Sequence, residues 1–141
     1  MSRIEFKIDG TFDNVRLVGQ AINTICVNVC STSTAYQIEL ATVEVCNNII
    51  EHAYNEVAGE IYIELTLNDT HLTLRFVDTG IPAPESLTNP PTLEFDANNL
   101  DKLPEGGMGL YLIDTIMDTR EYTTSGNRNI LTVTKQLRTR Q

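Results

Sequence analysis

The sequence predicts an α+β fold, a two-layer α/β sandwich with helices on one face of a mixed, mostly antiparallel sheet. Three observations lead to it. Apolar residues alternate with polar ones at the N-terminus and again after Gly59. Between those stretches they recur at helical spacing. The elements follow the order β-α-α-β-β-loop-α-β-β, which suits one sheet covered by a layer of helices. With 141 residues, the chain has the length of one domain, 1–141.

Ile4, Phe6 and Ile8 alternate with Glu5 and Lys7 as in a half-buried strand, and Asp9-Gly10 ends it. Asp13 is the expected cap of a first helix carrying Val15, Val18, Ala21, Ile22, Ile25 and Val29. Ser31-Thr32-Ser33-Thr34 reads as a polar break, followed by a second helix from about Ala35 to Tyr54. Its apolar positions cover more than one side, so it is expected to be a buried central helix. Residues 60–78 read as a β-hairpin: Ile61, Ile63, Leu65 and Leu67 alternate outward to a turn at Asn68-Asp69-Thr70, and Leu72, Leu74 and Phe76 return. From Thr79 to Gly107 the chain holds all five prolines and little periodicity, the composition of a lid or binding loop. Helical spacing resumes at Leu110, Ile113 and Met117, and strands at about 120–124 and 129–137 close the chain.

Hydrophobic residues make up 41% of the chain, enough for a core. The formal net charge of −9 argues against general electrostatic binding to nucleic acid or to an anionic membrane. The apolar runs are short and the N-terminus has no signal-like apolar stretch, so a cytoplasmic protein is expected. Cys26, Cys30 and Cys46 show neither a Cys-x-x-Cys pair nor a nearby His cluster, and read as buried free thiols.

Three polar clusters interrupt this framework. Glu44, Asn48 and His52 lie at i, i+4 and i+8 and share a helix face, whereas Asn47 does not. They form either a site or a solvated stripe. Val77-Asp78-Thr79-Gly80 stands where the hairpin's return strand ends. It is either a plain turn or a fixed carboxylate able to accept from an exocyclic amine, with Gly80 letting a flat ligand or a close backbone approach. Glu105-Gly106-Gly107-Met108-Gly109-Leu110 opens the third helix, where free amides at the positive end of the dipole suit phosphate. It matches neither a P-loop nor a dinucleotide fingerprint, and a plain loop-to-helix junction is the alternative.

In this order the three segments become specific. The run from Glu44 to Tyr54 (EVCNNIIEHAY) resembles the N box of the GHKL ATP-binding fold, Asp78-Thr79-Gly80 its G1 box, and Gly107-Met108-Gly109-Leu110-Tyr111-Leu112-Ile113 its G2 box. Over essentially the whole chain, the length, the first strand and helix, and His52-Ala53-Tyr54 most resemble the anti-sigma factor serine/threonine kinases of the RsbW/SpoIIAB type.

The resemblance implies a single kinase domain that takes ATP as substrate, with an ATP lid at about 81–106. Asn48 would ligate Mg²⁺, and Glu44 would be the general base for a protein Ser or Thr hydroxyl. Asp78 would accept the adenine amine, and Gly80 would leave room for the base. Gly107, Met108, Gly109 and Leu110 would meet the phosphates, His52 would join the ATP-binding set, and Thr132 would back the adenine site. The implied partners are a STAS-domain anti-anti-sigma protein and a sigma factor or other regulator, with the kinase a homodimer. A non-catalytic, nucleotide-gated module that holds a regulator is the alternative, and an ATPase that transfers to water a third.

The charge is uneven. Asp78 to Asp118 holds eight acids (Asp78, Glu85, Glu94, Asp96, Asp101, Glu105, Asp114, Asp118) against Lys102, whereas Thr119 to Gln141 holds five bases (Arg120, Arg128, Lys135, Arg138, Arg140) and Glu121. Phosphate charge is therefore expected to be met mainly by Mg²⁺ and helix amides, with Lys102 as a further candidate.

Overall fold

The computed structural model describes residues 1–84 and 107–137, with Gly107 and Met108 described by backbone alone. Most of the expected lid, from 85 to 106, lies outside the described residues, as does Lys102.

The first strand, β1, spans Ser2–Asp9 and half-buries Ile4, Phe6 and Ile8, as their alternation predicts. Helix α1 spans Phe12–Cys26. Its cap is Thr11 rather than Asp13. Thr11 has the extended backbone a cap needs, and its hydroxyl accepts from the Asn14 amide at 3.1 Å. Asp13 sits in the first turn, where its charge favours the helix dipole. The helix stops at Cys26, short of Val29.

Helix α2 spans Thr32–Asn48 and starts earlier than its apolar pattern implies. Ser31 caps it, accepting from the Thr34 amide at 3.1 Å, so the supposed polar break is a cap and a first turn. Ala35, Ile38, Ala41, Val45 and Cys46 are buried along it, as expected for a central helix. The predicted continuation to Tyr54 is present but not as α-helix. Ile49–Ala53 form a π turn, and the Tyr54 amide reaches back to the Ile49 carbonyl at 3.0 Å.

Strands β2 (Glu60–Leu67) and β3 (His71–Asp78) form the predicted hairpin, α3 spans Gly107–Ile116, and β4 (Thr119–Ser125) and β5 (Arg128–Gln136) complete the sheet. The strand order is β1-β2-β3-β5-β4, and each of these neighbouring pairs is antiparallel. The sheet is thus antiparallel across the described strands, where the sequence left room for a mixed one. The register sets Asp78 opposite Asn129.

Ile61, Ile63, Leu65, Leu72, Leu74 and Phe76 are at most 1% exposed and join Ile22, Ile38, Ala41 and Ile113 of the helices in one core. Burying each large side chain contributes about 1.5–3 kcal/mol, against a spread of about 1 kcal/mol in strand propensity, so packing decides which face turns inward. Cys26, Cys30 and Cys46 are buried and free. No described helix is long and apolar enough to cross a membrane.

Candidate nucleotide site

A cavity of about 410 Å³ opens between the end of α2, the π turn, α3 and the sheet. Val45, Ile49, Leu110, Ile113 and Leu131 supply apolar walls, and Asn48, His52 and Asp78 supply polar groups. This mixture of apolar walls and a few convergent polar groups is typical of small-molecule sites.

Helix geometry sets one end. Glu44 and Asn48 are one turn apart on α2, and both point at the start of α3. A Cβ placed on Gly109 would lie 3.0 Å from Glu44 Oε2 and 3.2 Å from Asn48 Nδ2. Any side chain there would crowd both groups, so glycine keeps the carboxylate and carboxamide beside the first turn of α3. Because α3 begins at Gly107, the amides of Gly107, Met108, Gly109 and Leu110 have no partner within the helix. Free amides at a helix start suit an anion.

Asp78 forms the other end. It is 6% exposed at the last position of β3. Its Oδ1 accepts from the Gly80 amide at 2.9 Å and from Asn129 Nδ2 at 2.8 Å, and the same Asn129 nitrogen donates to the Gly80 carbonyl at 2.9 Å. Burial pushes the Asp78 carboxyl above its ordinary pKa, and these hydrogen bonds partly offset the rise. Among the described residues, both donors to this carboxylate meet Oδ1 and none meets Oδ2.

Most of the residues singled out from the sequence meet here. Asn48, His52, Asp78 and Leu110 line the cavity, and Glu44 and Gly109 sit together at its α3 end. The His52 side chain is more than half exposed and lies 3.9 Å from Glu51.

Of the two readings of Gly80, the close backbone approach is the one present: a Cβ there would lie 2.3 Å from the Ala53 carbonyl oxygen, so its missing side chain admits the π turn. One expectation needs correction. Thr132 does not back Asp78. It pairs in register with Arg75 and Glu121, on the sheet face opposite Asn129, Leu131 and Val133, and is absent from the cavity lining. Asn129, 3% exposed, takes that place.

Arg120 and Tyr122 also line the cavity without having been anticipated. The Arg120 side chain is 8% exposed and donates from Nε to Asp114 Oδ1 at 2.6 Å and from Nη2 to Oδ2 at 3.1 Å. Tyr122 accepts from the Ala83 amide at 2.9 Å, and burial raises its pKa. Alternation with Arg120 on one strand was the only sequence signal for Tyr122.

No His, Cys, Asp or Glu cluster of three or more gathers at one point among the described residues, so none offers a metal cage built from protein alone. A single carboxamide oxygen, that of Asn48, beside the start of α3 instead fits Mg²⁺, which takes few protein ligands and otherwise keeps water or phosphate oxygens.

Residues 8–135 match the histidine kinase-like ATPase domain family. A protein named serine-protein kinase RsbW from Bacillus mycoides (strain KBAB4) is 39% identical over 82 residues, which cover 57% of this chain and 51% of that protein. The chain thus spans about half the length of this relative. A protein of the same name from Bacillus cereus (strain AH187) is 32% identical over 133 residues, covering 82% of this chain and 74% of its own. The crystal structure of the RsbU and RsbW domains of Rv1364c from Mycobacterium tuberculosis superposes with a TM-score of 0.67 at 17% identity, over 97% of this chain and 32% of that one, and shares the fold. With Asn48, Asp78 and Leu110 lining its cavity and Glu44 beside Gly109 at the start of α3, the chain belongs to the histidine kinase-like ATPase domain family.

Proposed function

We propose that this chain binds ATP with Mg²⁺ in the cavity and transfers the γ-phosphoryl group to a Ser or Thr hydroxyl of a protein partner. The observation that most favours this is the convergence of Glu44 and Asn48 on Gly109, at the first turn of α3. Asp78 Oδ2 accepts the exocyclic amine of the base, and Val45, Ile49 and Leu131 exclude water around the ring. The amides of Gly107, Met108, Gly109 and Leu110 hold the phosphates, and His52 contributes from the π turn. Asn48 is the residue that would hold Mg²⁺, through its Oδ1, and the ion would offset phosphate charge when bound.

The transfer balances with one base. The acceptor oxygen forms a bond to Pγ as the bond from Pγ to the β-bridging oxygen breaks. The hydroxyl proton moves to Glu44, and ADP leaves with the bridging oxygen. Such a step depends on positioning and charge stabilisation, which these groups supply. The relatives' name, serine-protein kinase RsbW, favours a serine as acceptor. The resemblance of the three motifs to the anti-sigma kinases favours a STAS-domain anti-anti-sigma protein as its carrier, and a sigma factor or other regulator as the protein held, by a homodimer in the cytoplasm.

Transfer of labelled γ-phosphate to a STAS-domain protein tests this reading. Glu44→Gln is expected to slow transfer by about 10²–10⁴-fold, the usual contribution of a positioned base, with ATP still bound. Equal transfer by wild type and variant would remove Glu44 from the mechanism.

A further inference from the structure

Four backbone amides leave β3 between Thr79 and Ala83, and each is held by a different residue. Thr79 N–H donates to Tyr54 Oη at 3.0 Å and Gly80 N–H to Asp78 Oδ1 at 2.9 Å. Ile81 N–H donates to the Ala53 carbonyl at 2.8 Å and Ala83 N–H to Tyr122 Oη at 2.9 Å. Residue 82 is proline and has no amide to satisfy.

Tyr54 is distinctive in this set because it does not line the cavity. Its hydroxyl accepts from Thr79 and donates to the Glu60 carbonyl at 2.5 Å. One phenol therefore joins the end of the π turn, the start of β2 and the residue that follows Asp78. The ring is fixed as well: a Cβ on Gly59 would lie 2.5 Å from Tyr54 Cε1, so glycine there is what lets the ring lie against the chain. Acceptor, donor and ring are all engaged without any ligand.

We propose that Tyr54 is a positioning residue for base recognition. Through the Thr79 amide it holds the Asp78-Thr79-Gly80 turn so that Asp78 Oδ2 stands ready for an exocyclic amine, and it ties that turn to the helix bearing Glu44 and Asn48. The inference rests on the nucleotide reading of the cavity. It goes beyond that reading by assigning amine selectivity to a residue that does not touch the base. A phenylalanine at 54 keeps the ring against Gly59 but leaves the Thr79 amide without its acceptor. A loss of that kind shifts an equilibrium by about tenfold.

Calorimetric titration with ATP and with inosine triphosphate, which has a carbonyl in place of the amine, tests it in the presence of Mg²⁺. Wild type is expected to prefer ATP. Tyr54→Phe, checked for folding by thermal melting, is expected to bind ATP about tenfold more weakly and inosine triphosphate within about twofold of wild type. If the variant weakens both ligands equally, or neither, Tyr54 serves only the fold, and the inference fails while the nucleotide reading stands. Equal wild-type affinity for the two ligands also overturns it. If wild type binds neither, the nucleotide reading itself fails and takes the inference with it. Should Tyr54→Phe not fold, hydrogen exchange at the wild-type Thr79 amide decides. Protection that rises with ATP and not with inosine triphosphate is expected, and no difference between them overturns the proposal.

Discussion

At Asp78 burial and recognition pull in opposite directions. The carboxylate is held where water is scarce, which raises its pKa, and the proposed site places the ligand's acceptor there. A carboxyl whose folded pKa lies above its unfolded value binds more protons in the folded state. Its stabilising contribution is complete below the unfolded pKa and is lost as pH rises through the folded one. Asp78→Asn is therefore expected to raise thermal stability at neutral pH and to lose that advantage in acid, while nucleotide affinity falls. Melting temperature against pH, with and without ATP, checks both halves; a variant less stable than wild type at neutral pH would contradict the burial cause. Legibility at this scale was uneven. Asp78 stands out because it ends the return strand before Gly80 and falls between two other polar clusters, but Asn129 does not. Ile130 and Leu131 are adjacent apolar residues, so alternation fits either phase of β5, and a slip of one residue exchanges the faces of Asn129 and Thr132.

Among the elements, the π turn was the least legible. Ile49 to Ala53 continue the apolar spacing of α2, and one wider turn leaves no mark in that pattern. Its consequence is structural: the Ala53 carbonyl is available to the Ile81 amide, and the turn packs on Gly80 at backbone distance. Gly80→Ala would drive a methyl into that carbonyl, which cannot retreat as a flexible side chain could. Urea denaturation is expected to show a loss of about 1–3 kcal/mol, the usual size for overpacking a close contact. An unchanged midpoint would mean that the turn yields easily and does not fix the segment after β3. The hairpin, by contrast, was fully legible, because Ile61 to Phe76 alternate cleanly about one turn. The starts of α1 and α2 were displaced by two or three residues, since Thr11 and Ser31 cap helices ahead of the first apolar position.

Across the whole molecule, charge decides how a polyanion can bind. A net charge of −9 opposes ATP, and the cationic side chain lining the cavity, Arg120, already carries Asp114 as a partner. Sequence reasoning missed Arg120 because an arginine between Thr119 and Glu121 on an edge strand reads as solvated, and its burial depends on a carboxylate brought over by α3. The guanidinium would add charge near a nucleotide, yet the Asp114 carboxylate offsets it, so the proposed Mg²⁺ would be the main counter-charge. ATP affinity is expected to fall by roughly a hundredfold when EDTA replaces Mg²⁺, given a few kcal/mol for uncompensated charge near a protein surface. Equally tight binding in EDTA would count against Asn48 as the metal ligand. The buried cysteines carry a separate consequence. Burial raises the thiols of Cys26 and Cys46 to about 12, so at neutral pH both stay protonated in the folded protein. Their chemistry is thus coupled to opening of the core: the rate at which a thiol reagent consumes them is a clock for how often the helices part from the sheet.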